Sequence, residues 1–286
     1  MRIGFYPGCS LNGTSREYNE SVKAIGKALG IDWVELKDWN CCGATAAHSM
    51  NKELSLALPT RILALAEKQG FQEIVVPCAS CYNRLSVAQY ELENNEKLKD
   101  DVLTVVGLPY LGTVKILNVL QFIEKYILDI LPDKIVRPFA HQVACYYGCL
   151  LLRPHKVLKF DRLEDPQSMD KIMSILGANP IDWAFKTECC GAGLSVSRTD
   201  LVWRLSGNIL KDASDRGAEA VIVACPMCHS NLDMRRSTIN RHLMEPITIP
   251  VLYVTQVLGL AIGLSAKDLG LKRHFVGVNL KEAELC

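Results

Sequence analysis

Ten of the twelve cysteines in this chain fall into one pattern that occurs twice. Cys9 is followed by 31 residues, then Cys41-Cys42, then 35 residues, then Cys78-x-x-Cys81. Cys149 is followed by 39 residues, then Cys189-Cys190, then 34 residues, then Cys225-x-x-Cys228. The flanks agree as well. "ALGIDWVELKDWNCCGA" matches "ILGANPIDWAFKTECCGA", and "AEKQGFQEIVVPCASCYNRL" matches "ASDRGAEAVIVACPMCHSNL". A repeat with one complete cysteine set per copy implies two related domains. The length of 286 residues suits two units of roughly 100–150 residues each. "LPDKIVRPFA" (131–140) ends a helical pattern and holds two prolines, so it is the expected seam. The expected domains are therefore 1–135 and 136–286.

Periodicity gives each copy the same order of elements. "RIGFY" is a β-rich run, and residues near 14–29 read as a helix. "IDWVEL" is a second strand, and 52–69 carry helical spacing that stops at Gly70. "EIVVP" is a short buried strand that runs into Cys78, and "VKIL" followed by "NVLQFIEKYI" closes the copy. "HQVACYY", "IDWAF", "EAVIVA" and "PVLYV" are the matching strands of the second copy. Strands alternating with helices imply βαβ units and parallel sheets, an α/β fold. Each repeated cysteine then follows a strand, and ligand sites in such sheets lie beyond the carboxyl ends of the strands. Cys9, Cys41, Cys42, Cys78 and Cys81 are thus expected to meet at one edge, and Cys149, Cys189, Cys190, Cys225 and Cys228 at another. Glycines 8, 43, 148 and 191 give the backbone room to approach a bulky inorganic group or to turn sharply. Cys78 and Cys225 fall near helix N-termini, which favour thiolate.

Composition removes other classes. The net charge of +1 supplies no basic field for nucleic acid or an anionic membrane. "VLYVTQVLGLAIGLS" (251–265) is the longest apolar run, and it is too short and too polar to span a bilayer. Pro7 and Gly8 interrupt any signal-peptide core. The expectation is a cytoplasmic protein, where many cysteines point to metal or redox chemistry rather than disulfides. One zinc takes four ligands, and so does an ordinary iron–sulfur cluster. Each copy offers five cysteines, which suits a polynuclear iron–sulfur centre with an extra or bridging thiolate. Structural zinc, a Cys-x-x-Cys dithiol relay and plain buried thiols are the alternatives. The relay leaves the Cys-Cys pairs unexplained. Cys145 and Cys286 have no counterpart in the other copy and read as a strand residue and a tail residue, not ligands.

This ten-cysteine signature resembles the cysteine-rich CCG domain. Two copies in a chain of this length are similar to the B subunit of heterodisulfide reductase from methanogenic archaea. The resemblance implies two pseudo-symmetric Rossmann-like domains, each with a noncubane 4Fe-4S cluster held by its five cysteines. It implies that the mixed disulfide of coenzyme M and coenzyme B (CoM-S-S-CoB) lies between the clusters and takes one electron from each. The partners it implies are a ferredoxin-like C subunit and a flavin-containing A subunit, with a hydrogenase or formate dehydrogenase in a larger complex. CCG domains also occur in electron-transfer subunits acting with fumarate, lactate or glycerol 3-phosphate, which is the alternative reading. The coenzymes are anionic, so Arg16, Arg84, Arg153, His155, Lys156 and Arg198 are candidate substrate-binding residues near the cysteine loops. His48, His155 and His229 are candidate proton donors. Trp33, Trp39 and Trp183 are expected to pack the sheets around the clusters.

Overall fold

The structure, a computed structural model, describes residues 1–44 and 47–278. Its frame is two four-stranded, all-parallel sheets. The first holds β1 (Arg2–Phe5), β2 (Asp32–Glu35), β3 (Glu73–Val75) and β4 (Lys115–Leu117), in the order β2-β1-β3-β4. The second holds β5 (Gln142–Tyr146), β6 (Asn179–Pro180), β7 (Ala220–Val223) and β8 (Val251–Tyr253), in the order β6-β5-β7-β8. The sequence repeat is therefore a repeat of topology, with β1 equivalent to β5 and β3 to β7. The central strands bury their side chains because helices cover both faces, and all four residues of β7 are buried. A capping box starts the helix after the last strand in both copies, Asn118 with Gln121 and Tyr253 with Gln256.

One expected strand is displaced. "IDWAF" does not pair as a strand. β6 is the two residues before it, and Ala184–Thr187 form a 3-10 turn. Asn179 and Ile181 N–H donate to His141 O and Val143 O, each at 2.9 Å, so Pro180 faces the open edge, where its missing N–H costs no ladder bond, and pairing stops after Ile181. The chain gains a longer loop into Cys189.

The apolar run at 251–265 becomes β8 and the helix Val254–Ala261, whose eight residues are all buried. It is buried on every side because the helix Arg16–Ala28 of the first half covers its remaining face. The covering helix turns Tyr18, Ser21, Val22 and Ile25 inward at helical spacing. Tyr18 stacks on Tyr253 with centroids 4.0 Å apart, and the Ser21 and Thr255 hydroxyls meet at 2.7 Å. The two halves thus share a core. Among the described residues, no helix is long and apolar enough to cross a membrane.

Two candidate metal centres

Each motif cysteine stands just beyond a strand end. Cys9 lies in the short helix Gly8–Asn12 after β1, and Cys41-Cys42 end the loop after β2. Cys78 is the N-cap of the helix Ala79–Glu93 that follows β3, with Cys81 in its first turn. The second copy repeats this, and Cys225 is the N-cap of Pro226–Asp233. The sulfurs converge accordingly. Cys42 Sγ is 3.3 Å from Cys81 Sγ, and Cys9 Sγ is 3.8 Å from Cys41 Sγ. Cys190 Sγ is 3.6 Å from Cys228 Sγ. Cys42, Cys78, Cys81, Cys190, Cys225 and Cys228 are buried, Cys149 is half-buried, and Cys9, Cys41 and Cys189 face outward. Each site is therefore closed at its base and open at its rim. Cys145 is buried within β5, apart from these contacts, and Cys286 lies outside the described residues.

Three devices hold both sites, and they are the same in each. Tyr6 OH donates to Asn40 O at 2.9 Å, and Tyr146 OH donates to Glu188 O at 2.7 Å. Both pin the residue just before the Cys-Cys pair. Gly43 N–H points to Cys41 Sγ at 3.4 Å, and Gly191 N–H to Cys189 Sγ at 3.3 Å. Gly8 (φ +65°) and Gly148 (φ +67°) take left-handed backbone. A Cβ at Gly8 would lie 2.9 Å from Cys81 Sγ, and one at Gly148 would lie 3.0 Å from Cys228 Sγ. Only glycine fits both the turn and the sulfur beside it.

The thiols perturb one another. Hydrogen bonds from Cys42 and Cys9 pull Cys41 down to about 2, while Cys42, sharing its proton with Cys41, is pushed up to about 12. Cys189, bonded by Cys149, falls to about 6. Cys78 is lowered by Cys81 and by backbone N–H groups of its helix N-terminus. Cys81 and Cys228 are driven well above the ordinary thiol range by their cysteine neighbours. Tyr6 and Tyr146 are raised by burial first and by the surrounding sulfurs second. Five sulfurs cannot all shed protons here without positive charge among them. A group of several metal cations bound by thiolates answers that need, and Gly8 and Gly148 keep side chains off the buried sulfurs that would hold it.

The two sites are neighbours. Tyr18 OH lies 3.4 Å from Pro77 O and 3.4 Å from Ala224 O, the carbonyls just before Cys78 and Cys225. Asn83 Nδ2 donates to Leu150 O at 3.1 Å and Arg153 O at 2.6 Å, tying the first Cys-x-x-Cys helix to the loop after Cys149. The Tyr-x-Gly-Cys repeat carried the signal for Tyr6 and Tyr146, which sequence reasoning passed over. Tyr18 has no local signal, because its role depends on how the halves meet.

The candidate substrate residues separate. Arg16 is exposed at the first position of its helix. Arg153 pairs with Glu164, Arg198 with Asp200, and Lys156 lies over the Tyr90 ring. His155 is exposed, and so is His48, beside Ser49. Arg84 differs: it is half-buried one helical turn beyond Cys81, and the Cys42 sulfur partly offsets what burial takes from its charge. His229 is buried and stacked on Tyr253, with Nε2 3.1 Å from Val251 O and 3.3 Å from His274 Nδ1. Burial holds both histidines in the neutral form. Asp233, close by, spends its carboxylate on the Phe275 and Val276 N–H groups. Trp39 meets Tyr6 edge-on and Trp183 approaches Tyr146, as expected near the sites, whereas Trp33 packs between Phe5 and Phe122.

The family model of the CCG cysteine-rich domain matches residues 3–86 and 143–233, one match per sheet. The chain belongs to the CCG cysteine-rich family. It is 30% identical over 276 residues to the 8-methylmenaquinol:fumarate reductase membrane anchor subunit of Wolinella succinogenes, covering 96% of each chain. It is also 30% identical over 285 residues to the B subunit of the ferredoxin/F420H2-dependent CoB-CoM heterodisulfide reductase of Methanosarcina acetivorans. That match covers 96% of this chain and 94% of the relative. A solved structure of a hypothetical protein from Helicobacter pylori superposes with a TM-score of 0.78 at 15% identity. It takes in 97% of this chain and 52% of that one, and so supports the fold alone. The Methanosarcina relatives are named as subunits of heterodisulfide reductases.

Proposed function

We propose that the chain is the disulfide-reducing B subunit of a CoB–CoM heterodisulfide reductase, with one iron–sulfur cluster in each five-cysteine site. The observation that carries this reading is adjacency: two complete cysteine sets, each open at its rim, meet across one tyrosine hydroxyl. Cleaving a disulfide to two thiols takes two electrons and two protons. Two neighbouring one-electron centres supply the electron pair without releasing a sulfur radical. Cys9, Cys41, Cys42, Cys78 and Cys81 would hold one cluster, and Cys149, Cys189, Cys190, Cys225 and Cys228 the other; these would be of the noncubane 4Fe-4S type and would supply the one-electron chemistry.

The rest is work for the chain itself. Tyr6 and Tyr146 fix the Cys-Cys turns, and Gly8 and Gly148 keep side chains away from the sulfurs. Asn83 and Tyr18 set the spacing between sites. Arg84, half-buried beside the first set, offers a cation to an anionic substrate. Electrons would arrive from a ferredoxin-like C subunit linked to a flavin-bearing A subunit, with a hydrogenase or formate dehydrogenase behind them. A cytoplasmic complex fits this arrangement.

The similarity to a fumarate reductase subunit favours a second reading, an electron carrier for another dehydrogenase. Anaerobic assay with reduced viologen and CoM-S-S-CoB separates them. Release of both coenzyme thiols supports the disulfide reading. A cluster-loaded protein that oxidises no viologen with this disulfide would support the carrier.

A further inference from the structure

The two sites share their backbone devices but not their charges. Aligning the Cys-x-x-Cys helices sets Arg84 opposite Asn231, each three residues beyond the second cysteine. Arg84 is a half-buried cation one helical turn beyond Cys81, with Nη2 on Asn83 Oδ1 at 3.1 Å. Asn231 is neutral, and its Nδ2 amide points at Cys190 Sγ from 3.6 Å. Aligning the Cys-Cys turns sets Asn40 opposite Glu188, each just before the pair. Asn40 is neutral and takes a hydrogen bond from Arg61 at 3.0 Å. Glu188 is an exposed carboxylate in the position immediately before Cys189. In formal charge both differences have the same sign, and the weak Asn231 amide contact to Cys190 offsets only part of the first. Each makes the surroundings of the N-terminal site more positive than those of its twin.

Other charges leave that sign in place. Arg61 is neutralised by Asp38 at 2.5 Å. Lys186, two residues before Glu188, is held by two carboxylates, Asp165 at 2.9 Å and Asp170 at 3.0 Å. Arg235 approaches the C-terminal site at one remove, with Nε on Asn231 Oδ1 at 3.2 Å and Nη2 on Ser195 O at 2.8 Å, and offsets Glu188 there, which leaves Arg84 as the uncompensated charge. Arg198 is spent on Asp200. The potential of a thiolate-bound iron centre follows nearby charge and hydrogen bonding to its sulfurs. A nearby cation stabilises the form that has gained an electron, and a carboxylate destabilises it.

We propose that the two sites are electrically unequal, with Arg84 making the N-terminal site the first to accept an electron. This rests on the iron–sulfur reading above. An electron from an external one-electron donor then settles at the Cys9–Cys81 set, and the second fills the Cys149–Cys228 set. With both sites filled, the pair of electrons needed to open one S–S bond is in place.

The test is an anaerobic redox titration of the iron- and sulfide-loaded chain with dithionite, followed by EPR. Cys42→Ser and Cys190→Ser assign each signal to its half. The expected result is a higher midpoint potential at the N-terminal site. Arg84→Gln should lower that potential, Arg84→Lys should hold most of it, and Glu188→Gln, an exposed change, should raise the C-terminal potential alone. Two signals that titrate together, a reversed order, or variants that move both sites equally would overturn the inequality while leaving the iron–sulfur reading standing. A chain that takes up no iron and sulfide, measured before any titration, would overturn both.

Discussion

The N-terminal and C-terminal sites differ where their chemistry would be tuned and agree where their sulfurs are held. Tyr6 and Tyr146 make the same bond, and so do the N–H groups of Gly43 and Gly191. Gly8 and Gly148 leave the same opening. Around that shared frame, Arg84 replaces Asn231 and Asn40 replaces Glu188. The groups that build the site are repeated with the fold. The groups that bias it are free to diverge, because a charge beside a sulfur changes potential without changing backbone.

The sharpest way to break the comparison is to remove one site. Cys42→Ser or Cys190→Ser should lose the iron of its own half and keep the EPR signal of the other. Loss of both signals from either variant would mean the halves do not load independently. Next in size, Gly8→Ala and Gly148→Ala each force a methyl group onto a sulfur at a left-handed residue. Left-handed backbone alone costs an alanine roughly 1–2 kcal/mol. Each variant should show a lower melting temperature and reduced iron at its own site, and equal retention at both sites would count against the shared cradle.

Tyr18→Phe tests the seam. It removes the hydroxyl that faces Pro77 O and Ala224 O, with an expected cost of about 1 kcal/mol in denaturant unfolding. The stacked rings stay, so each site should keep its iron. The smallest effect concerns acid. Burial lowers His229 and His274 from an ordinary value near 6.5, so the unfolded chain binds more protons than the folded one as pH falls. The stability these histidines contribute is present above that value and lost below it. Glu17, raised by burial, works in the opposite sense. His274→Gln should therefore flatten the acid side of the stability profile between about pH 7 and pH 5. An unchanged profile would remove His274 from the account.

Much of this was legible in the sequence. The repeat, the parallel α/β plan and the position of every motif cysteine beyond a strand follow from local pattern, because βαβ units leave one edge for ligands. The failures have physical causes. "IDWAF" has the composition of a strand, but only Ile181 still bonds to β5, and Ala184–Thr187 turn away as a 3-10 helix. Trp33 looked like a wall of the site and instead fills the gap beside Gly26, where a Cβ would strike its ring at 2.0 Å. The apolar run at 251–265 was read only as too short and too polar to span a bilayer, and nothing in it named the helix Arg16–Ala28 as its cover. Tyr18 and Asn83 act between halves and leave no mark in either half alone. Arg84 was visible as a cation near a cysteine, and its asymmetry shows once the two cysteine motifs are aligned.

The central claim is that each half holds an iron–sulfur centre on its five cysteines. The most direct test is metal and acid-labile sulfide content of the chain purified without oxygen. Iron and sulfide in comparable amounts, divided evenly between the halves and free of zinc, is the predicted result. Stoichiometric zinc with no sulfide would contradict it and leave the cysteines as structural ligands.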